Sequence, residues 1–514
     1  MARSKDLALT AGDRRIVLGA SIALAGILTL NSTFNYMLPD MVADFGASTG
    51  QSALMRQISS LGALLVVFLA GVLGERLGER RVIIWAAGLF AIGSAVVAVS
   101  PVFQVAGAGL LAASIGKSVM SVLGVAYVAA AVQDPARRAT AFSAVSSVQP
   151  MAYLVLPLLA GLLLSAASWR AVSIVWVLGG IAALVAAQRL FPKDAQRTRV
   201  RGEMLTPALA GLLLAAFVQI FGTLKAEGAT TQFWVLSLVI GLTMIALVIA
   251  YRRLANPTLS LAPLKHGGLM LLFLVVILIT FANLYYYSTL LFEVNYAYSP
   301  LGAAVLMMPA QVAGIGGAVV VRKLLQSRGI TFSGGVMLSI VAAALLLCMW
   351  VSTESPLWVP IAIVSLFGFA SVSVIAVMTN AVMNLSPRGK EGDTSAYRSA
   401  ASNMGLAVGV AVMTAVVTTV GMASITSQMS AAGMSTSEYG AAATALLDGT
   451  SPQDVSDQYG IPIDEAQELD DIDRQAFVSA YRAQGLVGGL VTAAAACLFL
   501  GIRRRMDGRD RAAH

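Results

Sequence analysis

The sequence predicts an all-α polytopic membrane protein with about fourteen transmembrane helices. Of the 514 residues, 58% are apolar and only 12% are charged, and the mean hydropathy is +0.80. Soluble domains have a charged fraction of roughly a quarter. Apolar stretches of about 20 residues, each long enough to cross about 30 Å of hydrocarbon, recur between short charged loops. These observations exclude a soluble fold.

The predicted spans follow one another along the whole chain. The first is too long for the apolar core of a signal peptide, and no small-residue cleavage site follows it, so we expect it to remain as a helix. The spans are 16–37, 52–73, 82–102, 106–131, 141–165, 171–191, 205–223, 231–251, 269–292, 299–320, 331–352, 357–380, 399–421 and 479–502.

Basic residues predict the orientation of the spans. If both termini are cytoplasmic, most Lys and Arg residues fall in inner segments, as the positive-inside rule requires. The net charge of +8 then follows from topology in a cytoplasmic (inner) membrane, and no nucleic-acid partner is implied. The inner clusters are Arg14-Arg15, Arg76 with Arg80-Arg81, Arg137-Arg138, Arg252-Arg253, Arg322-Lys323 and Arg503-Arg504-Arg505.

The segment GVLGERLGERRV, residues 71–82, joins the second and third spans. Gly71, Gly74 and Gly78 permit a tight turn, and Glu75 is placed to pair with Arg76, Arg80 or Arg81 as a charged conformational latch. The segment resembles the cytoplasmic loop signature of the major facilitator superfamily. Leu73 also matches that signature, whereas Glu75 replaces its usual Asp and Glu79 its usual basic residue.

Three further segments are similar to the fourteen-span drug:proton antiporter branch of that superfamily. They are NSTFNYMLP at 31–39, LLFEVNYAYSPLGAAVLMMP at 290–309, and DTSAYRSAASNMGLAVGVAV near the C-terminus. The resemblance implies two six-helix bundles related by a pseudo-twofold axis, with the seventh and eighth spans as additional central helices. It also implies proton-driven export of small amphipathic molecules by rocking alternating access.

We therefore expect three regions. Residues 1–191 form an N-terminal six-helix bundle, 192–251 a linker with two extra helices, and 252–514 a C-terminal bundle. A long outside segment at 422–475 holds ten of the 26 acidic residues, with a short helix expected at 464–476. It is either a solvated external loop or a vestibule or lid that attracts cations.

Three elements that couple transport to protons in the branch are altered. Asn31 replaces the acid of the first helix and cannot carry a proton. The fifth-span motif survives only as Ala152, Leu156-Pro157 and Ala160-Gly161. The fourth span lacks the expected arginine, since Ala112 stands four residues before Gly116, although Lys117 follows directly.

Lys117 is the one basic residue predicted at the centre of a span. It lies roughly 16 Å from either end, too far for its stem to reach water. A lysine there costs about 2.5 to 3.5 kcal/mol, so it either couples transport or contacts substrate, or it donates to helix carbonyls or to polar groups of the first span. Arg56, Arg170 and Arg398 lie nearer helix ends, where we expect them to snorkel to the headgroups.

The other candidate residues are polar or aromatic side chains in the spans. Asn31 and Asn35 either bind neighbouring helices or contact substrate. Glu293 is either a titrating outer-gate carboxylate or an interfacial charge. Asn283 and the Tyr285-Tyr286-Tyr287 triplet, Tyr286 in particular, suit a cavity for amphipathic ligands.

The predicted function is export of drugs or toxic metabolites by a protein that is not an enzyme. A lysine inside the membrane, with the first-helix acid absent, favours anionic, zwitterionic or neutral substrates. A lipid or glycolipid exporter and a non-transporting sensor or assembly factor are the alternatives. His266 and His514 form no catalytic arrangement, and Cys348 and Cys497 no metal site; we expect no cofactor and a monomer.

Overall fold

The computed structural model describes residues 9–46, 49–192, 203–220, 224–225, 228–229, 231–254, 257–282, 284–298, 300–387, 390–434, 439 and 452–502. Within these ranges the chain is helical apart from turns and one antiparallel pair of two-residue strands. The predicted all-helical fold class is confirmed.

The first seven helices make up the part of the chain that we call the N-terminal half. Helix α1 packs against α6 and α7, α3 against α4 and α7, and α2 against α4. Their bounds are α1 Ala11–Asp44, α2 Thr49–Leu77, α3 Glu79–Ala98, α4 Phe103–Ala131, α5 Pro135–Ser146, α6 Val148–Ala166 and α7 Trp169–Arg189.

Two central helices and the C-terminal half follow. The central helix α8 packs against α9 and α2; in the C-terminal half, α14 packs against α15 and α18, and α16 against α11 and α18. The elements are α8 Leu205–Ile220, β1 Leu224–Lys225, β2 Gly228–Ala229, α9 Thr231–Arg253, α10 Ala262–Lys265, α11 Gly267–Thr280, α12 Leu284–Val294, α13 Pro300–Leu306, α14 Met308–Leu347, α15 Trp358–Asn384, α16 Glu391–Ala431, α17 Pro452–Tyr459 and α18 Ile463–Gly501.

The helix count agrees approximately with the prediction. In the described part of the chain, eleven helical segments are long and apolar enough to span a membrane, and Leu205–Ile220 is a shorter apolar helix. One of the eleven, Gly302–Trp350, covers most of the predicted spans 299–320 and 331–352. These are separated at Gly329, where φ is +78°. Helix α2 contains the remaining predicted span, 52–73.

Helix α1 is longer than its predicted span of 16–37. It starts at a capping box in which Thr10 accepts from the Asp13 amide, and it continues through Pro39 to Asp44. Asp40 and Asp44, expected beyond the helix, are therefore in its last turns. The Asp44 carboxylate accepts from Arg170 at 2.6 Å and from the Trp169 indole at 3.1 Å. Arg170 thus has an acidic partner and does not depend on snorkelling alone.

The described part of the 422–475 segment is folded. Helix α16 continues to Ala431 and α18 begins at Ile463, so the helix predicted at 464–476 is the first part of α18. A small apolar core is separate from the main bundle. It contains Met429, Met434, Val455, Leu469 and Ile472.

The helices of the N-terminal half approach closely at glycines. A Cβ atom added at Gly116 of α4 would lie 2.5 Å from the Ala86 carbonyl oxygen and 2.7 Å from the Phe90 amide nitrogen of α3. These are backbone atoms, which cannot move without displacing the helix. Gly124, about two turns later in α4, has no heavy atom within 4 Å of an added Cβ atom.

We expect Gly116→Ala to destabilise the protein and Gly124→Ala to leave it unchanged or slightly more stable. Only the first substitution forces α3 and α4 apart, while both gain the helix propensity of alanine, about 1 kcal/mol. Thermal unfolding of the two variants in one detergent, followed by size-exclusion chromatography, makes the comparison. Equal melting temperatures would contradict the close α3–α4 contact.

Candidate functional site

Lys117 lies inside the helix bundle and is held by an amide. Its amine donates to the Asn31 side-chain oxygen of α1 at 2.9 Å. The neighbours Gly116 and Ser118 are buried, whereas Lys117 is partly exposed. Among the residues that the structure describes, no carboxylate forms an ion pair with Lys117. Two candidates from different helices are thus in direct contact, and this contact places a neutral amide beside the amine.

The polar residues of the first span divide into two groups. Ser32 donates to the Leu28 carbonyl at 2.6 Å, and Thr33 accepts from the Trp176 indole at 2.8 Å, so both are buried packing residues. Asn31 and Asn35, four residues apart and therefore on one face of α1, are exposed. This face of α1 is therefore open, in contrast to the face that carries Ser32 and Thr33.

A second group of polar side chains lies between α1 and α12. Tyr36 of α1 interacts electrostatically with Glu293 of α12, which belongs to the C-terminal half. Tyr286 is seven residues before Glu293, hence on the same face of α12, and is 57% exposed. Tyr285 points instead to Phe367 of α15, with ring centroids 5.3 Å apart. Asn283 lies outside the described residues.

Arg398 of α16 lies deeper than the sequence predicted. The helix begins at Glu391, before the predicted span of 399–421, and the Arg398 Nε is buried without a hydrogen-bond partner. Snorkelling to the headgroups does not describe this side chain. The hydropathy pattern did not predict this burial. It shows where the apolar sequence starts but not which residues the neighbouring helices cover.

The two halves touch at the end of the bundle that carries Arg76, Arg80, Arg137 and Arg252, which we call the basic face. The Ser395 hydroxyl of α16 donates to the Val122 carbonyl of α4 at 2.8 Å. Three more contacts join the halves there: Arg138 donates to Asn384 at 3.2 Å, Gln326 to Thr140 at 2.9 Å, and Phe68 packs edge-on against Tyr397. The basic face is closed.

The predicted latch takes part in this closure, with a different partner. The Glu75 carboxylate lies 3.9 Å from the Lys390 amine of the C-terminal half and forms no ion pair with Arg76, Arg80 or Arg81. Lys390 also lies 3.7 Å from Asp393. Local sequence favoured the nearby arginines, but the fold brings in a lysine 315 positions away.

The glycines of the latch have separate roles. Gly71 lies against the Gly392 backbone, and a Cβ atom at Gly71 would be 3.0 Å from the Gly392 carbonyl oxygen. Gly78 has φ +94°, a conformation that favours glycine, and it separates α2 from α3. Arg80 donates to the Gln188 carbonyl of α7 at 2.7 Å. The turn is therefore tied to its own half while Glu75 reaches the other half.

The remaining candidates are the two residues of the fifth-span motif. Pro157 and Gly161 lie within α6, both partly exposed. This helix packs against α1 on one side and α14 of the other half on another. Within the described ranges, no cluster of three or more His, Cys, Asp or Glu side chains is arranged to hold a metal ion.

Burial changes the acidity of Glu75, which lies beyond the predicted span 52–73. Its removal from water, reinforced by the nearby Asp393 charge, raises the pKa of the carboxyl from 4.5 to about 7. The protonated form is thus favoured in the closed contact. Protonation stabilises the contact fully below pH 4.5, and this stabilisation is lost as the pH rises through 7.

Comparison with known proteins gives a consistent family. The family model described as Major Facilitator Superfamily matches residues 20–410. The methylenomycin A resistance protein of Bacillus subtilis is 24% identical over 66% of this chain and 74% of its own length. The methyl viologen resistance protein SmvA of Salmonella typhimurium is 24% identical over 73% and 76%. The drug efflux pump JefA of Mycobacterium tuberculosis is 26% identical over 60% and 61%.

Two solved structures share the fold. The human organic anion transporter MFSD10 (TETRAN) has a TM-score of 0.64 at 15% identity, covering 95% of this chain and all of that one. A bacterial homologue of the iron transporter ferroportin in an outward-facing state has a TM-score of 0.59 at 11% identity over 95% and 100%. At these identities the likeness concerns the fold alone.

We expect closure of the basic face to weaken as the pH rises from about 5 to 8. Burial also raises the pKa of Asp393 to about 6, so Glu75→Gln should remove the part of this dependence near pH 7 and keep the part near pH 6, because the amide mimics only the protonated Glu75. Spin labels at Leu77 and Leu261, in a variant without Cys348 and Cys497, report the distance between the halves. Glu354→Gln, a neutralised exposed acid, is the control and should behave as wild type. An undiminished response between pH 7 and 8 in Glu75→Gln would contradict the assignment of Glu75.

Proposed function

Because the chain belongs to the major facilitator superfamily of membrane transporters, we propose that it exports small amphipathic molecules across the cytoplasmic membrane in exchange for protons. The observation that carries the proposal is the Lys117–Asn31 contact, a cationic side chain in the bundle interior held only by a neutral amide. Two relatives are named for resistance to methylenomycin A and to methyl viologen and a third as a drug efflux pump, which supports efflux as the direction.

Lys117 is the proposed coupling residue. The branch that this chain resembles carries an acid at the position of Asn31, and Asn31 cannot exchange protons. An amine can gain and lose a proton, and in the part of the chain that the structure describes no carboxylate pairs with Lys117 to hold it permanently charged. In the proposed cycle, substrate displaces the amine from Asn31, and the changed environment of the amine drives proton release.

Alternating access is the proposed mechanism. Residues 1–191 and 252–514 act as two rocking bundles, and 192–251 connects them. The closed basic face, where Glu75 lies beside Lys390 and Ser395 donates to the Val122 carbonyl, corresponds to the state in which the cytoplasmic entrance is shut. Opening requires these contacts to break while others form on the opposite face. Both termini are then cytoplasmic, and one chain suffices for the cycle.

The decay of a pH gradient across membrane vesicles tests proton coupling. Everted membrane vesicles with a preformed pH gradient are challenged with anionic, neutral and cationic amphiphiles, and the decay of the gradient is recorded. We expect at least one compound to trigger decay with wild type and none with Lys117→Met, which removes the amine at similar volume. Lys323→Met, an exposed lysine at the basic face, should behave as wild type.

Correct insertion of each variant is confirmed by its amount in the membrane and its elution as one peak in detergent. Gradient decay that persists at the wild-type rate in Lys117→Met would overturn Lys117 as the coupling residue. Absence of any substrate-dependent decay with inserted wild type, together with substrate accumulation in the vesicles, would overturn proton exchange itself.

A further inference from the structure

We propose that the central helix pair, α8 and α9, holds the basic face closed through a hydrogen-bonded clasp between the start of α8 and the loop that enters the C-terminal half. The clasp consists of Glu203 and Thr206 on one side and Thr258 and Leu259 on the other. It opens when the two halves rock apart. This inference rests on the proposed alternating access and gives a role to two helices that so far only connect the halves.

The clasp joins segments that are far apart in the sequence. The Thr258 amide donates to Glu203 Oε1, 55 positions away, at 3.1 Å, and the Leu259 amide donates to Thr206 Oγ1 at 3.5 Å. The Glu203 carboxylate also accepts from the Thr206 amide at 2.8 Å and from the Thr206 hydroxyl. The start of α8 therefore orients the carboxylate that binds the loop.

The clasp is protected from water and carries a charge. Thr206 is fully buried, and Leu259 is 3% exposed. Burial alone would raise the pKa of Glu203, but the hydrogen bonds from Thr206 and Thr258 outweigh it and hold the pKa below the usual 4.5. The group is thus a carboxylate at neutral pH, and hydrogen bonds to a charged acceptor are stronger than those between neutral groups.

The clasped loop is also attached to the C-terminal half. The Ser260 amide, directly after Leu259, donates to the Asp393 carboxylate of α16 at 3.3 Å. Asp393 in turn lies 3.7 Å from Lys390, which lies beside Glu75 in the closed basic face. The loop therefore links the clasp to the contact between the two halves.

Helix α8 is attached to the N-terminal half at the same time. It packs against α2, and a Cβ atom added at Gly211 of α8 would lie 2.9 Å from the Leu65 carbonyl carbon of α2. Close backbone approach at a small residue is typical of helices that associate in membranes. Helix α8 therefore bridges the halves, with α2 on one side and the clasped loop on the other.

Opening of the basic face must release one of these two attachments. Gly71 of α2 and Gly392 of α16 are in backbone contact when the face is closed, so opening moves α16 and its loop away from α2. The contact between α2 and α8 is an extended packing of helices, which lipid chains replace poorly. The clasp lies at the basic face, where water can replace either partner of each hydrogen bond at small net cost. The clasp is therefore the attachment that opens.

Removal of one hydroxyl tests whether the clasp favours the closed state. Spin labels at Leu77 and Lys323, one in each half at the basic face, report the closed and open populations of a variant without the two native cysteines. Thr206→Val removes the hydroxyl that contacts both Glu203 and the loop, with little change in shape. The matched control is Thr426→Val, an exposed threonine whose hydroxyl bonds within its own helix.

We expect Thr206→Val to lower the ratio of closed to open molecules about fivefold, as for the loss of one hydrogen bond. Thr426→Val should keep the wild-type ratio. A general loss of stability would broaden the distances in both states, whereas release of the clasp transfers molecules from one distance to the other.

A reversible crosslink tests whether the clasp must open during transport. In the same cysteine-free background, Glu203→Cys with Thr258→Cys places two thiols across the clasp, and a short bis-methanethiosulfonate reagent joins them. Asn295→Cys with Thr353→Cys, which pairs two contacting residues within the C-terminal half, is the control. We expect the crosslink across the clasp to abolish the gradient decay triggered by the panel of amphiphiles and reduction to restore it. The control should stay active in both forms.

An unchanged ratio in Thr206→Val, or full gradient decay with the clasp crosslinked, would overturn the clasp. Either result, combined with substrate-triggered decay in wild type, would leave the exporter standing. A lowered ratio in Thr206→Val, in a protein that moves no compound, would support the clasp as a closing device and reject the exporter.

Discussion

A positive charge held inside an apolar bundle by a neutral amide is the interaction on which this account depends. Water is absent from the hydrocarbon, so Lys117 must either find a partner or face a hydrated space. Its described partner is Asn31, which contributes a dipole and no charge. A carboxylate at this place would neutralise the charge of the lysine. The asparagine orients the amine without neutralising it, so that in this account the amine can attract a substrate and exchange a proton.

The second feature of this account is the closed basic face, where the two halves meet. Gly71 and Gly392 bring α2 and α16 into backbone contact, and larger residues would force the halves apart. Beside them, Glu75 is buried next to Lys390 and is sensitive to pH near neutrality. Lys117 lies on α4 five residues beyond Val122, whose carbonyl accepts from Ser395 of the other half, about 7.5 Å along the helix.

Much of the fold could be predicted from the sequence, because hydrocarbon thickness sets a minimum length of apolar sequence. Lys117, Asn31 and the Glu75 turn were also identified, since a polar residue in an apolar helix is conspicuous. Hydropathy indicates how deep a residue lies in the membrane but not in which direction its side chain points around the helix. The Lys117–Asn31 contact and the Glu75–Lys390 pair could therefore be found only in the folded structure. Arg398 was misplaced because α16 begins eight residues before its predicted span.

The charge balance around Lys117 is tested most directly by changing its partner. Asn31→Asp places a carboxylate beside the amine, and Asn31→Ala removes the contact without adding charge. The measurement is the dissociation constant of the anionic dye fluorescein divided by that of the cationic dye rhodamine 6G, both determined on the purified protein. The account predicts that the ratio rises at least tenfold in Asn31→Asp relative to Asn31→Ala, because the new ion pair neutralises the interior cation. An equal ratio in the two variants would contradict an interior whose positive charge selects the substrate.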